Sequence, residues 1–320
     1  MRIAILGAGA TGGFLGARLA KAGADVVLIA RGPHLVAMRE SGLRLIEADG
    51  ETTVHVEATD DLAAIRSSEF VVVTLKAHSV PAMAEGLAAN LGAGTSVVSA
   101  QNGIPWWYFQ RHGGELEGTH LETVDPGGII GRAIDPQRVI GCIVYPTTSV
   151  VRPGVVQHLE GERFSLGELD GSRTERITTL SGCFTHAGLK APVQPRIRQE
   201  LWVKLMGNAV FNPLSALTHA SLGEIAESPV LATVVRAAME EVAAVAARLG
   251  ITIPVSIEQR IRGAAGVGAH KTSMLQDLEL GRPVEIDAIT GSVVELARRL
   301  GVPVPHLETV YASVKVLAHL

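Results

Sequence analysis

The feature that most constrains this chain is a glycine-rich turn close to its first residue, with the sequence Gly7-Ala8-Gly9-Ala10-Thr11-Gly12. The turn follows a short apolar run at residues 2–6 and leads into a helical pattern that ends at Gly23. Another apolar run follows at residues 25–30. Strand, glycine turn, helix and strand in this order predict one parallel βαβ unit of about 30 residues.

Each glycine has a separate physical role in such a turn. Gly7 permits the tight turn, Gly9 lets the backbone approach a pyrophosphate, and Gly12 lets the helix pack closely on the strand. The free N–H groups at the start of the helix favour a phosphate ligand. We therefore predict a dinucleotide site at this turn. The alternative, a glycine-rich turn without a ligand, is disfavoured by the position between a strand and a helix.

The residue that follows the second strand indicates which dinucleotide is bound. A site that prefers NAD(H) carries Asp or Glu there for the ribose 2′-hydroxyl, whereas this strand ends in Ala30-Arg31-Gly32. A guanidinium matches a 2′-phosphate in charge and geometry, so Arg31 favours NADP(H). Lys76, just after an apolar strand, is predicted to add a second phosphate contact; the alternative is a solvated loop lysine.

The wider pattern predicts an α/β fold, in which an N-terminal Rossmann-type doubly wound parallel sheet is followed by an all-helical C-terminal domain. Strands at residues 70–75 and 95–99 flank a predicted helix at 80–91, and a hairpin is predicted around Asp49-Gly50. The other predicted elements are strands at 138–145, 155–159 and 163–166, and helices at 172–187, 198–218, 223–249, 254–264, 284–300 and 306–319.

After Pro195 strand signals are nearly absent and helical patterns follow one another, so we predict two domains. Residues 1–195 would form the NADP-binding domain, with an insertion at about 105–136, and residues 196–320 would form the helical substrate domain. A chain of 320 residues is long enough for two hydrophobic cores.

Composition excludes several other classes of protein. The net charge of −4 gives no basic footprint for nucleic acid. Two cysteines, Cys142 and Cys183, are too few for a disulfide framework or a metal site, and no apolar run reaches the roughly 18–20 residues that span a bilayer. We expect a cytoplasmic protein that binds a small molecule and no metal, nucleic acid or membrane. The oligomeric state is open, with a homodimer as one candidate.

The most informative stretch for catalysis is residues 200–214. Lys204, Asn208 and Asn212 recur at every fourth position, so a helix places them on one face with about 40° of drift per step. Most of their neighbours are apolar, and a charged amine with two amides is costly there unless these groups serve one another or a ligand. We predict that this face binds substrate. The alternative is a solvent-facing polar stripe, which the low helix propensity of Asn disfavours.

Further polar positions lie at Ser273 and Glu285, which are candidates to close over a small acid held by that helix. The alternative is that the acidic positions cap a helix at 286–300. With these segments the chain resembles the ketopantoate reductases (2-dehydropantoate 2-reductases). The matching segments, in family order over most of the chain, are residues 7–12, 73–77, 101–104, 201–205 with Asn208 and Asn212, and 273–277 with 285–287.

The resemblance implies roles for individual residues. Lys204 would be the general acid that protonates the ketone oxygen, and Glu285 would lie beside the reacting centre. The substrate hydroxyl and carboxylate would be held by four polar residues, Asn102, Asn208, Asn212 and Ser273. The cofactor would be contacted by the glycine turn and by four side chains, Arg31, Lys76, Asn102 and Glu285.

The chemistry is coherent without the family. Hydride transfer from nicotinamide places negative charge on a carbonyl oxygen, which a desolvated ammonium stabilises and protonates. We therefore predict NADPH-dependent reduction of a 2-oxo acid to a 2-hydroxy acid, and the resemblance implies ketopantoate and (R)-pantoate. One alternative is a β-hydroxyacid dehydrogenase, although residues 199–203 lack the glycine-rich lead-in usual before that lysine. The other is a non-catalytic NADP(H)-binding regulator, which the intact polar set around Lys204 disfavours.

The segment 105–136 departs from the pattern that we expect of simpler family members. It begins with Pro105-Trp106-Trp107-Tyr108-Phe109, close after Asn102, where nicotinamide and substrate are expected. We hypothesise that at least one of the rings at 106–108 walls the substrate pocket. The alternative is an aromatic plug that packs the insertion, or an oligomer contact.

Overall fold

The computed structural model describes residues 1–319, which divide into two compact units. The first unit comprises Met1–Gln101, Phe109–Thr119 and Ile129–Ile197. The second comprises Asn102–Tyr108, His120–Gly128 and the described chain from Arg198 onward. The aromatic segment that follows Asn102 therefore begins in the second unit.

All strands of the described chain lie in the first unit. They are β1 (Arg2–Leu6), β2 (Asp25–Ile29), β3 (Leu43–Glu47), β4 (Gly50–Val54), β5 (Glu57–Thr59), β6 (Phe70–Val73), β7 (Ser96–Ser99), β8 (Val139–Val144), β9 (Thr147–Arg152), β10 (Val155–Glu160) and β11 (Phe164–Glu168). The helices of this unit are α1 (Ala10–Lys21), α2 (Gly32–Ser41), α3 (Ala84–Ala89), α4 (Ile129–Ala133) and α5 (Glu175–His186).

The main sheet confirms the predicted doubly wound fold. Its strand order is β11-β8-β7-β6-β1-β2-β5, and every neighbouring pair is parallel except β11 and β8. Runs such as Phe70–Val73 are buried along their whole length, as expected for strands covered on both faces. The chain passes from β1 to β2 on one side and later to β6 on the other. The carboxyl ends of β1 and β6 therefore form a topological switch point, where ligands bind in such sheets.

A second sheet, in the order β4-β3-β10-β9, was not predicted. The predicted hairpin is confirmed, since β3 and β4 pair through Glu47 and Gly50. However, β3 also pairs in parallel with β10, where Leu45 lies opposite Val156. A pairing between segments so far apart in the chain leaves no local signal, so the second sheet was missed. Strand β9, which pairs with its neighbour β10, was not predicted either.

The second unit consists of helices. They are α6 (Ile197–Thr218), α7 (Leu222–Glu227), α8 (Ala232–Arg248), α9 (Ile257–Val267), α10 (Ser273–Glu279), a π-helical turn (Asp287–Gly291), α11 (Ser292–Leu300) and α12 (Pro305–Leu317). Capping boxes at Ser221 and Ser256 start α7 and α9. Within the described residues, none of the helices combines the length and apolar composition needed to cross a membrane.

Three predicted helices differ from the structure. The single helix predicted at 223–249 is wrong, because Ser228 and Pro229 separate α7 from α8. The helix predicted at 284–300 begins instead with the π-helical turn. The helix predicted at 80–91 is shortened to α3, preceded by short 3₁₀ turns around Pro81. The predicted helix at 198–218 is confirmed as α6.

The aromatic segment packs inside the second unit. Trp107 is fully buried and Tyr108 is 1% exposed. Trp202 of α6 donates its indole N–H to the Tyr108 hydroxyl at 2.7 Å, and the guanidinium of Arg198 lies 5.8 Å from the Trp107 ring centroid and 5.7 Å from that of Tyr108. For Trp107 and Tyr108, these contacts favour the packing alternative over a pocket wall.

We expect Trp107→Ala to lower the free energy of unfolding by about 3–5 kcal/mol, because the substitution empties a fully buried site. The folded fraction should keep the wild-type ranking of 2-oxo acids by kcat/KM. Urea unfolding and a five-acid kinetic panel on the same protein measure both effects. Val230→Ala, at an 83% exposed position, is the control and should leave stability nearly unchanged. A changed ranking with little loss of stability would favour the pocket hypothesis instead.

Candidate active site

The glycine turn joins the ends of β1 and β2. The backbone N–H groups of Gly7 and Ala8 both donate to the Ile29 carbonyl, at 3.0 and 2.9 Å. Gly7 adopts φ +100°, a conformation that favours glycine, and a methyl group there would come within 2.8 Å of the Leu75 nitrogen. Gly7 thus holds the position predicted for the tight turn.

The other two glycines of the motif differ in their surroundings. A methyl group at Gly12 would collide with Thr74 Oγ1 and lie 2.5 Å from the Gly7 carbonyl oxygen, so α1 packs on β1 only without a side chain there. At Gly9 the nearest atom to a methyl group would be the Gly7 oxygen at 3.9 Å. The space beside Gly9 therefore suits a pyrophosphate, and the start of α1 at Ala10 presents the N–H groups that such a ligand needs.

Arg31 and Lys76 stand at the same edge of the main sheet. Arg31 is the exposed N-cap residue of α2, two residues after β2 ends. Lys76 is a partly buried N-cap residue of the 3₁₀ turn Ala77–Ser79, three residues after β6 ends. The β1–β6 switch point thus carries the glycine turn on one strand and Lys76 on the next.

His34, the third residue of α2, was not predicted to belong to the site. Its Nδ1 accepts the Gly154 N–H at 2.9 Å, which ties α2 to the β9–β10 hairpin. Burial lowers the pKa of His34 below its usual value, partly offset by the Ala8 backbone, which raises it. Burial thus favours the neutral form of this ring, which lies beside the glycine turn. A lone histidine near Arg31 gave no distinctive signal in the sequence.

The second unit brings Lys204 and Asn102 together. The partly buried Lys204 ammonium donates to Asn102 Oδ1 at 2.7 Å, across 102 residues of sequence. Asn208, one turn later on α6, is partly buried, and Asn212 is 6% exposed. The polar face predicted on this helix is therefore turned inward rather than spread over an exposed surface.

The segment that carries Glu285 is joined to the Asn102 loop by a backbone hydrogen bond. Glu285 is 6% exposed and lies two residues before the π-helical turn. The Ala288 carbonyl of that turn accepts the Ile104 N–H at 3.0 Å. Between Asn102 and Ile104, Gly103 has φ +81°, and a methyl group on it would collide with the Ala288 carbonyl. Only glycine fits at position 103, and this requirement was not predicted from the sequence.

The alternative, that the acidic positions cap the helix at 286–300, does not hold for Asp287, because the N-cap residue is Ile286 and no side chain caps this end. Asp287 accepts the Tyr311 hydroxyl at 2.6 Å and the Lys315 ammonium at 3.0 Å, so it links the π-helical turn to α12. Ser273 is the exposed first residue of α10, directly after the buried N-cap Thr272. The contacts described above do not join Ser273 to Lys204, and its place in the site stays a prediction.

Another cation, Arg260, lies against α6 at Gly207. A methyl group on Gly207 would come within 2.7 Å of the Arg260 guanidinium carbon. Gly207 comes three residues after Lys204, so the guanidinium lies against the turn of α6 that follows Lys204. Positive charge at this helix suits an anionic substrate such as a 2-oxo acid. Arg260 was missed because it belongs to α9, more than 50 residues from Lys204.

The sequence patterns of one family cover nearly the whole chain. Residues 3–171 match the family described as "Ketopantoate reductase PanE/ApbA", and residues 196–318 match "Ketopantoate reductase PanE/ApbA C terminal". The chain is 50% identical over 319 residues to the 2-dehydropantoate 2-reductase of Mesorhizobium japonicum, covering 99% of this chain and 98% of that protein.

Solved structures give the same result for the fold. A protein from Ralstonia solanacearum MolK2, described as of the ketopantoate reductase type, has a TM-score of 0.94 and 42% identity, with 99% of this chain and 98% of that chain covered. D-mandelate dehydrogenase with NADH and anilino(oxo)acetate has a TM-score of 0.85 at 22% identity, with 100% and 99% covered. The latter likeness concerns the fold alone.

The two glycines of the turn provide a matched pair of substitutions. Gly12→Ala should lower the melting temperature, because its methyl group collides with Thr74 and the Gly7 carbonyl. Gly9→Ala should fold as the wild type does and lose about 10-fold or more in NADPH affinity, because its methyl group fills space meant for the pyrophosphate. Thermal unfolding and fluorescence titration with NADPH measure both. Unchanged NADPH affinity in Gly9→Ala would contradict the predicted phosphate position.

Proposed function

The chain belongs to the ketopantoate reductase family, and on this basis we infer that it is an oxidoreductase that reduces ketopantoate (2-dehydropantoate) to pantoate, a step of pantothenate biosynthesis. The observation that carries the inference is the bond from the partly buried Lys204 ammonium to Asn102. The family assignment favours this activity over a β-hydroxyacid dehydrogenase and over a non-catalytic regulator.

The enzyme belongs to an NAD(P)-binding type of oxidoreductase. Within that type we propose NADP(H) as the cofactor. The proposal rests on Arg31, which stands where an acidic residue would receive an unmodified ribose. D-mandelate dehydrogenase was solved with NADH, so the fold alone does not decide between the two cofactors. The glycine turn would hold the pyrophosphate in either case, with Lys76 as a further phosphate contact.

The nicotinamide, when bound, supplies the hydride that reduces the ketone carbon. Lys204 donates a hydrogen bond to the ketone oxygen, stabilises the negative charge that develops there, and gives up its proton to it. Asn102 orients the ammonium, since its amide oxygen already accepts from Nζ at 2.7 Å. The neutral amide leaves the charge of the ammonium in place for the substrate.

The remaining polar residues would hold the substrate. We assign the carboxylate and hydroxyl of ketopantoate to the amide face of α6, with Asn208 and Asn212, and to Ser273 at the start of α10. Amide N–H₂ groups and a hydroxyl donate hydrogen bonds to these oxygens without adding charge. We place the buried carboxyl group of Glu285 beside the reacting centre and the cofactor.

The cytoplasm is the compartment that we propose. Cys142 is buried, Cys183 is partly buried, and the two are not joined by a disulfide, as expected for a protein kept in a reducing environment. A homodimer stays a prediction.

Cofactor choice can be tested at Arg31. NADPH should bind more tightly than NADH, and Arg31→Ala should weaken NADPH binding about 10- to 100-fold, the loss expected for one charge-assisted contact. NADH binding should change little. Fluorescence titration measures all four affinities, and Arg39→Ala, an exposed arginine of the same helix bonded to Ala58 and Asp60, is the matched control. Equal affinities for both cofactors in the wild type would refute the assignment.

The reaction and its acid can be tested together. Wild-type enzyme with NADPH should oxidise the cofactor on addition of ketopantoate, in preference to other branched 2-oxo acids. Lys204→Ala should fold and bind NADPH normally but lose about 10²–10⁴ in kcat. Lys21→Ala, an exposed lysine bonded to Thr52, should keep full activity. A Lys204→Ala variant that retains more than about a tenth of the wild-type kcat would exclude Lys204 as the acid.

A further inference from the structure

A proline inside α6 leaves one backbone carbonyl without its usual donor. Pro213 follows Asn212 directly and lies within the helix Ile197–Thr218. Proline has no N–H, so the carbonyl of Ala209, four residues earlier, loses the hydrogen bond that an α-helix normally supplies. Ala209 is fully buried, and a buried carbonyl without a partner is destabilising.

Thr290 supplies the missing donor. Its hydroxyl lies 3.1 Å from the Ala209 carbonyl oxygen, and the residue is fully buried. Thr290 belongs to the π-helical turn, five residues after Glu285. The bond therefore ties the helix that carries Lys204, Asn208 and Asn212 to the segment that carries Glu285.

A second helical carbonyl, that of Ala288 in the π-helical turn, also receives a donor from outside its own helical ladder. The Ser292 N–H reaches back five residues to the Asp287 carbonyl, so the Ala288 carbonyl is released from the helical ladder. It receives the Ile104 N–H at 3.0 Å and the Ser292 hydroxyl at 2.6 Å. The loop that carries Asn102 is thereby fixed to the same turn.

These bonds close a ring. It runs from Lys204 to Asn102, along the loop to Ile104, to Ala288, along the turn to Thr290, and through Ala209 back to α6. We propose that Thr290 is a positioning residue of this ring, which fixes the amide face of α6 relative to Glu285 and Asn102. The proposal rests on the function proposed above for that site.

A substitution at Pro213 separates two roles of Thr290: positioning α6, and serving only as the hydrogen-bond donor to the Ala209 carbonyl. Thr290→Val keeps the shape of the side chain and removes the donor, whereas Thr290→Ser keeps the hydroxyl. Pro213→Ala restores a backbone N–H that can bond the Ala209 carbonyl within α6. In the double variant Thr290→Val/Pro213→Ala the Ala209 carbonyl has a donor within α6, but Thr290 no longer ties α6 to the π-helical turn.

The measurements are thermal unfolding, kcat and KM for ketopantoate at saturating NADPH, KM for NADPH, and hydrogen exchange of the peptide 102–108. Thr290→Val should melt at a lower temperature, lose about 10-fold in kcat/KM for ketopantoate, and exchange faster in 102–108, because a small displacement of reacting groups is costly. Its KM for NADPH should change by less than its kcat/KM for ketopantoate, because the glycine turn, Arg31 and Lys76 are not part of the ring. Thr290→Ser should behave as the wild type does in all four.

The double variant gives the decisive result. Positioning predicts that it regains thermal stability while kcat/KM stays about 10-fold low and exchange stays fast. Recovery of kcat/KM together with stability would overturn the proposal and reduce Thr290 to a partner for one carbonyl. Wild-type enzyme that does not reduce ketopantoate would refute the proposed function alone. In that case, exchange at 102–108 that is the same in Thr290→Val and wild type still overturns the positioning role.

Discussion

A partly buried ammonium group must find a hydrogen-bond acceptor at close range, and in the second unit the bond from Lys204 to Asn102 meets that need. The rest of the site follows from it. To present its amide, Asn102 must lie against α6, and the loop after it must turn sharply. That turn is possible because Gly103 adopts φ +81° and lets the backbone approach Ala288. The π-helical turn then offers the carbonyl that receives Ile104.

The acceptor's chemistry matters as much as its position. An amide oxygen is neutral, so it holds the Lys204 ammonium in place without cancelling its charge. A carboxylate in the same position would stabilise the charged amine more strongly and oppose proton release to a ketone oxygen. The arrangement thus orients the amine while leaving it able to serve as an acid.

Much of the fold was predictable because its signals are local. Gly7, Gly9 and Gly12 are within six residues, and their spacing between strand and helix predicted the turn that the structure contains. Helical periodicity likewise predicted α6 and its amide face. A bond such as Lys204 to Asn102 joins segments 102 residues apart, and periodicity says nothing about which loop meets a helix. Asn102 was predicted to belong to the site from the family resemblance at residues 101–104, not from the spacing of residues.

The parts that were missed arise from tertiary contacts. The second sheet depends on β3 meeting β10, and neither strand alone shows that it has a partner. The π-helical turn at 287–291 has the sequence pattern of an ordinary helix. What distinguishes it is the bond from the Ile104 N–H to the Ala288 carbonyl, which joins residues distant in sequence. Neither Thr290 nor Pro213 shows from its neighbours in the sequence that the two residues act on the same carbonyl group. Their relation appears only when the Ala209 carbonyl between them is located in space.

The framework of the site uses main-chain acceptors, and this has a consequence for specificity. The links at Ala209 and Ala288 depend on carbonyl oxygens, which every residue has. Asn208, which we propose binds the substrate, takes part in neither of these two links. Side chains of this kind can differ between related enzymes while the scaffold persists, so the scaffold does not determine the substrate. A fold shared with D-mandelate dehydrogenase at 22% identity agrees with this separation. We therefore expect the choice of ketopantoate to depend on the few side chains that we assign to the substrate, on α6, on the 102–104 loop, at the start of α10 and before the π-helical turn.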